Sequence, residues 1–374
     1  MKIYADNAAT TKLSSKAYEA MLPYLLEEYG NPSQPYSLSR KPKNALKKAR
    51  ESIAKCIGAY PDEIYFTSGG TESDNWVINS VGLFNQRQGT IITSAIEHHA
   101  ILRSCNAIEK LGNPVVYMAP TESGEITPKI LKNHITNDTN FVSVMYVNNE
   151  IGTVQPIEEL CCIAHENGAL FHTDAVQAVG HIDIDVHKLG VDFLSASAHK
   201  FNGPRGIGFL YIKNGVDLFP YLCGGGQENG MRAGTENVAA IVGMAVALKE
   251  NTDQIVDNID YVSSLEHILL NNLNSTEQVF KRNGINQMPG IISLSFPGLN
   301  GEAILHRMDL KGIYISTGSA CDSKETQISH VLKAIQLEED LAKGTVRISL
   351  SRHNTPEEVL IISQELNQII SQNV

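Results

Sequence analysis

The most constraining feature of this chain is a three-part unit repeated between about residues 60 and 215. A short run rich in β-branched and aromatic residues is followed by a polar motif and then by a stretch of helical periodicity. Glu63 to Thr67 runs into Ser68-Gly69-Gly70-Thr71, and Thr90 to Thr93 leads to Glu97-His98-His99. Phe141 to Val147 runs into Asn148-Asn149-Glu150, Ala169 to Thr173 into Asp174, and Val191 to Leu194 into Ser197 and Lys200. Strands alternating with helices predict an α/β fold whose mostly parallel central sheet is covered on both faces. Such sheets bind ligands outside the carboxyl ends of their strands, so these five motifs are expected to share one crevice.

Ile207 to Ile212 reads as a further strand and Asn237 to Lys249 as an Ala-rich helix. Beyond about residue 255 the rhythm changes to a helix (Val256 to Asn272), strands (Ile291 to Phe296, Ile313 to Ser316, Val346 to Leu350) and a last helix from Pro356. The expected organisation is a large unit of residues 13–254 and a smaller α+β unit of residues 1–12 plus 255–374, without internal repeat or low-complexity linker.

Composition narrows the class. With 374 residues, 42% hydrophobic and 19% charged, the chain can bury one large core and a second smaller one. A net charge of −11 argues against a nucleic-acid or membrane-surface binder, which needs clustered cations. The run Arg40, Lys41, Lys43, Lys47, Lys48 and Arg50 fits the wet face of a helix. Six cysteines (56, 105, 161, 162, 223 and 321) are scattered without CxxC pairs, which favours a reducing cytosol; Cys161 and Cys162 fall in an expected helix, Glu158 to Glu166, and with Cys56, Cys105 and Cys223 read as core filler. Met1 to Asn7 has no apolar signal region, and no stretch approaches the ~18 apolar residues of a membrane span, so a soluble cytoplasmic protein is expected. No HExxH motif or compact His/Cys spacing points to zinc, and no metal site is expected.

The motifs carry chemistry. Lys200 offers an amine fit to hold an aldehyde cofactor, and Cys321, in Ser316-Thr317-Gly318-Ser319-Ala320-Cys321, a thiol fit to attack and carry sulfur. Gly69-Gly70-Thr71 at a strand-to-helix turn can cradle phosphate, although Thr71 with Asp74 three residues on also fits a plain capping box. Asp174 can pair with a pyridinium nitrogen or simply cap a helix, and Gln177 can donate to a ring hydroxyl. His98 suits stacking on a ring and moving protons, and His199 can reach a phosphate or serve packing.

At these residues the chain resembles the cysteine desulfurases of the NifS/IscS type, pyridoxal-phosphate enzymes of the class V aminotransferase fold. The likeness runs nearly end to end, from Asp6-Asn7-Ala8-Ala9-Thr10-Thr11 through Gly30-Asn31-Pro32-Ser33, Thr67 to Ser73, Glu97-His98, Asn148 to Gly152, His172 to Gln177, His199-Lys200, Gly224-Gly225-Gly226, Arg232 to Glu236 and Gly318 to Cys321, ending at Arg352. The resemblance implies the fold type I architecture of pyridoxal-phosphate-dependent transferases. It implies that Lys200 bonds to pyridoxal 5'-phosphate, Asp174 pairs with the pyridine nitrogen, Gln177 contacts the ring oxygen and His98 stacks on the ring. Gly70, Thr71, Ser197 and His199 would hold the phosphate, with Thr235 reaching in from the second subunit of a homodimer. Asn149 would lie near cofactor and substrate, Arg352 would clamp the substrate carboxylate, and Asn31 would assist there.

The implied reaction converts L-cysteine to L-alanine, with Lys200 and His98 moving protons and Cys321 taking the sulfur as a persulfide for an acceptor protein. That acceptor would be an iron-sulfur scaffold or a tRNA-thiolating enzyme; only 22 residues follow Arg352, where housekeeping members carry a longer scaffold-docking tail. Thr317, Asp322 and Ala198 depart from the commoner serine, threonine and glycine. Rival readings are a selenocysteine lyase, a class V aminotransferase and a sulfur carrier without turnover. Cys321 discriminates against transamination, which needs no such thiol.

Overall fold

The computed structural model describes residues 2–84, 89–274, 280–317 and 328–372. Among these the strands are β1 (Ile3–Tyr4), β2 (Ile64–Thr67), β3 (Thr90–Ser94), β4 (Val115–Met118), β5 (Thr139–Ser143), β6 (Leu170–Asp174), β7 (Phe193–Ser197), β8 (Gly208–Ile212), β9 (Lys281–Asn283), β10 (Ile291–Ser295), β11 (Ile313–Tyr314) and β12 (Thr345–Ser349). They form a seven-stranded sheet in the order β2-β8-β7-β6-β5-β3-β4, a three-stranded sheet β12-β10-β9 and a β1-β11 pair.

The expected parallel arrangement is found from β4 through β3, β5 and β6 to β7. β8 departs from it, pairing antiparallel with both β7 and β2. The link from β7 to β8 holds only a short turn, Ala198–Lys200, and a parallel return would need a crossover of a dozen or more residues. β8 therefore wedges between β7 and β2, and its insertion fixes the turn that carries Lys200.

Both faces of the sheet are covered, which is why its strands read as apolar runs rather than alternations. Phe141 and Phe193 pack with Trp76, Ile101 and Leu210 on one face. Their neighbours Val142 and Leu194 point to the other face, with Ile53, Phe171 and Met244. Complete burial of each phenylalanine contributes roughly 1.5–3 kcal/mol. A separate core gathers Ile3, Leu265, Leu294, Val346, Ile348 and Ile362 between the smaller sheets and the helices Ile255–Asn274 and Pro356–Ser371. The last helix starts where Pro356 predicts: the Thr355 hydroxyl accepts from the Glu358 amide and the Glu358 carboxylate accepts from the Thr355 amide, both at 3.2 Å. Ile3 pairs with Ile313, and Asp6 bridges to Ser349, so residues 3–6 are tied to β11 and β12 and lead Ala8 to Gln177 and Lys200 at the carboxyl ends of β6 and β7.

The basic run lies on the helix Arg40–Cys56, which buries Ala45, Leu46, Ala49 and Ile53 and turns its lysines outward. Arg50 is the exception, paired with Glu228 at 2.6 Å and lying over the Phe66 ring at 4.3 Å. Cys105 and Cys161 are core residues as expected, whereas Cys162 and Cys223 are exposed: Cys162 follows Cys161 by one helical position and so faces away from the core. No helix among the described residues is long and apolar enough to cross a membrane.

Candidate active site

All five strand-end motifs meet in one pocket of about 340 Å³. Gly70 and Thr71 follow β2, His98 follows β3, Asn149 follows β5, Asp174 and Gln177 close β6, and Ser197, His199 and Lys200 follow β7. The C-terminal part of the chain adds Arg347 from β12 and Ser316, Thr317, Ser329 and His330, while the N-terminal segment adds Asp6, Ala8 and Ala9.

Lys200 is held by the N-terminal segment, its Nζ donating to the carbonyls of Ala8 at 2.6 Å and Ala9 at 2.9 Å. Asp174 is buried, and its Oδ1 accepts from the Val176 amide at 2.9 Å. This is a turn rather than a helix cap, since no helix begins there. Burial raises the Asp174 carboxyl to about 6, against the opposing pull of the Val176 amide and Lys200. Gln177 donates to the Ala8 carbonyl at 2.8 Å.

His98 is the N-cap of the helix His99–Lys110, its Nδ1 accepting from the Ala100 amide at 3.2 Å. Burial, reinforced by Lys200, lowers its pKa to about 4, so the ring is neutral near pH 7. A neutral imidazole whose Nδ1 accepts carries its proton on Nε2. His199, whose Nδ1 meets the Thr10 hydroxyl at 3.1 Å, is likewise lowered to about 4 by burial and Lys200.

The turn after β2 is built for a close ligand. The helix Gly70–Asn79 starts at Gly69, whose φ of 150° and ψ of −178° suit only glycine, and its N-terminus has no side-chain cap. Thr71 is therefore inside the first turn, not the cap of a Thr71/Asp74 box. A side chain at Gly70 would press Val176 Cγ2 at 2.5 Å. First-turn amides, the Ser197 hydroxyl and His199 thus surround the positive end of a helix.

Three predicted residues lie outside this pocket. Arg352 lines an adjoining cavity, with Nη2 3.6 Å from Glu250. Thr235 lines a third pocket with Glu228, Arg232 and Asn237. Asn31 caps its own turn, accepting from the Ser33 amide at 2.9 Å. Cys321 lies outside the described residues, although Thr317 before it and Ile328 after it both line the pocket.

Sequence reading missed two pocket residues. Arg347 donates to the Asn149 carbonyl and to Asp6 Oδ1, each at 2.8 Å, while its buried Nε has no partner. The signal was available: a lone arginine inside the apolar strand Thr345–Ser349 must have a partner for its charge. Asp74 is buried on the helix Gly70–Asn79, four residues after Gly70 and so on the same face.

The donor set fits pyridoxal 5'-phosphate. An uncapped helix N-terminus suits the phosphate, a buried carboxyl with few donors suits a cationic ring nitrogen, and the Lys200 amine suits the aldehyde. Comparisons with known proteins agree. Residues 3–362 match the family model described as aminotransferase class-V. The chain is 45% identical to a Dictyoglomus turgidum protein named cysteine desulfurase IscS, across 99% of this chain and 94% of the relative. It is 39% identical to the Azotobacter vinelandii cysteine desulfurase NifS, across 99% and 93%. A solved structure described as a NifS-like protein superposes with a TM-score of 0.93 at 36% identity, covering 100% of both chains. With its mostly parallel sheet and fold type I architecture, the chain belongs to the class V aminotransferase family, among the proteins of the NifS/IscS cysteine desulfurase type.

Proposed function

We propose that this protein is a pyridoxal-phosphate-dependent cysteine desulfurase, which takes L-cysteine, releases L-alanine and passes the sulfur to an acceptor protein. The observation that carries the reading is the meeting of Lys200, Asp174, His98 and the Gly70-Thr71 turn in one pocket, in a chain whose relatives bear that name. When bound, pyridoxal phosphate withdraws electrons from the α-carbon of an amino acid joined to it.

The chain's own residues supply the rest. The Gly70-Thr71 turn, Ser197 and His199 would hold the phosphate, Asp174 would pair with the ring nitrogen, and Gln177, fixed by Ala8, would contact the ring oxygen. Lys200, steadied by two backbone carbonyls, binds the cofactor and moves the α-proton through Nζ. His98 would stack on the ring and present its Nε2–H to the substrate as a hydrogen-bond donor; only after taking up a proton from the substrate could it return one to the product. Arg347, with Asn149 fixed beside it, takes the substrate carboxylate; its place in the larger pocket supports this role, and it replaces Arg352, which lines the smaller cavity near Glu250.

Cys321 attacks the substrate sulfur as a thiolate. An S–S bond forms as the C–S bond breaks, the electron pair stays with carbon, and a proton completes alanine. The sulfur remains on Cys321 as a persulfide. In this reading Thr235 completes the phosphate site of a second copy in a homodimer, which its separation from Lys200 in one copy supports. Residues 13–254 act as the cofactor-binding unit and residues 1–12 plus 255–374 as the unit bearing Cys321. An iron-sulfur scaffold and a tRNA-thiolating enzyme are the two acceptors to test.

The decisive experiment incubates cofactor-loaded Cys321→Ala with L-cysteine. The expected result is an unchanged visible cofactor band, no alanine and no persulfide on the protein by mass spectrometry. Alanine formed at the parent rate would sink the reading.

A further inference from the structure

Behind Asp174 stands a second acid. Asp74 is 1% exposed, lines the pocket, and neither carboxyl oxygen has a hydrogen-bond partner. One oxygen of Asp74, one of Asp174 and a ring nitrogen of His98 lie within 4.8 Å of one another. On its far side Asp74 Oδ1 is 3.7 Å from His172 Nε2. His172 is itself buried in a chain, with Nδ1 2.9 Å from the Ser143 hydroxyl and Nε2 3.0 Å from the Ser195 hydroxyl. Burial lowers its pKa to about 3, so near neutrality it brings no positive charge to Asp74.

Two carboxylates this close in a dry site cannot both ionise cheaply. Asp174 has the better claim to the charge, because the Val176 amide bonds to it and Lys200 faces it. Asp74 has neither. Burial raises its pKa well above the usual carboxylate range, with Asp174 and then the buried Glu97 adding to the rise and Ser195 opposing it in part. From the neighbouring helix, His99 and Arg103 act on His98 rather than on Asp74.

We propose that Asp74 is a positioning residue that keeps its proton in the resting protein and, as a neutral acid, holds Asp174 charged and aimed for the cofactor ring nitrogen. This rests on the pyridoxal-phosphate reading of the pocket. Its corollary is that an asparagine, neutral and of the same shape, replaces Asp74 whereas alanine does not.

Two readouts independent of turnover test it. In cofactor-free protein at neutral pH, the infrared difference between parent and Asp74→Asn should show loss of a protonated-carboxyl carbonyl band; no such loss overturns the proposal. In cofactor-loaded protein, the pH titration of the visible band should keep its midpoint in Asp74→Asn. A fall of about one pH unit or more would mean that Asp74 was a second negative charge, and the proposal is wrong. Asp74→Ala should shift the midpoint and speed cofactor dissociation about tenfold, the equivalent of one pKa unit; parent behaviour in both overturns the positioning role. Should Asp74→Ala fail to fold, the two asparagine readouts still decide. Asp174→Asn is the control: if it keeps the parent midpoint and cofactor affinity, the reading of the pocket itself has failed, whatever Asp74 does.

Discussion

Two cavities meet at Ala8 and Gln177, and each is lined by an arginine, Arg347 inside β12 and Arg352 just beyond it. Arg347, in the larger cavity, stands among groups whose charges are only partly answered: Asp174 and Asp74 share a dry wall, and the guanidinium keeps an unpartnered Nε. The smaller cavity, about 60 Å³, is rich in amides that are already engaged. Asn251 donates to the carbonyls of Phe201 and Ala247 at 2.8 Å, Asn202 donates to the Lys12 carbonyl at 2.9 Å, and Arg352 stands 3.6 Å from Glu250 with its buried Nη1 unpartnered. Charge alone therefore does not mark the site. Both guanidiniums keep one unpartnered nitrogen, and what separates the cavities is the room for a ligand beside the buried carboxyls of Asp174 and Asp74.

Substitutions on either side of that boundary can break the contrast. Lys200→Ala should cost at least about a thousandfold in kcat and abolish the lysine-linked cofactor band, because it removes both the attachment point and the proton carrier; a lysine-linked cofactor persisting in that variant would refute the assignment. Arg347→Ala should lower kcat/KM for cysteine by roughly 30–100-fold, the cost of one lost charged hydrogen-bonding partner, read from steady-state kinetics. If Arg352→Ala shows the larger loss instead, the two cavities have been assigned the wrong way round.

An effect on stability rather than turnover concerns Glu97, which lies beside His98 and accepts from the Met145 amide at 2.9 Å. Burial raises its pKa to about 8, above the ordinary value near 4.3 expected of the unfolded chain. The folded state therefore holds this proton more tightly, a contribution that is full below the unfolded pKa and lost as pH rises through about 8. Relative to Glu97→Gln, the parent should lose several kcal/mol of stability, up to about 5, between pH 4 and pH 9 in denaturant titrations. A difference that is flat with pH would show that Glu97 is ionised throughout. Least affected should be Arg352→Ala, with kcat/KM within about threefold of the parent and about 1 kcal/mol of stability lost with its Glu250 contact.

The crevice was legible because a parallel α/β sheet has one ligand-binding edge, so any polar motif at a strand's carboxyl end had to lie there. Lys200, Asp174 and His98 needed nothing more than this topology. Direction within short segments was not legible. β8 reverses because the Ala198–Lys200 turn leaves no room for a crossover, and a run such as Gly208 to Ile212 looks the same in either direction. The Thr71/Asp74 spacing suited a capping box, yet the glycine-only conformation of Gly69 moves the helix start forward and puts Asp74 in the pocket wall. Arg347 and Arg352 differ only in that one is inside β12 and the other beyond its end, a boundary that sequence patterns blur by a few residues.

The ties of the N-terminal segment also order events during synthesis. Lys200 rests on the carbonyls of Ala8 and Ala9, made 192 and 191 positions before it, but β1 pairs with β11 and Asp6 leans on Arg347 and Ser349. A chain still on the ribosome therefore carries its lysine through the making of residues 201–349 with no finished wall around it. The wall around Lys200 closes only when residues 345–349 are in place.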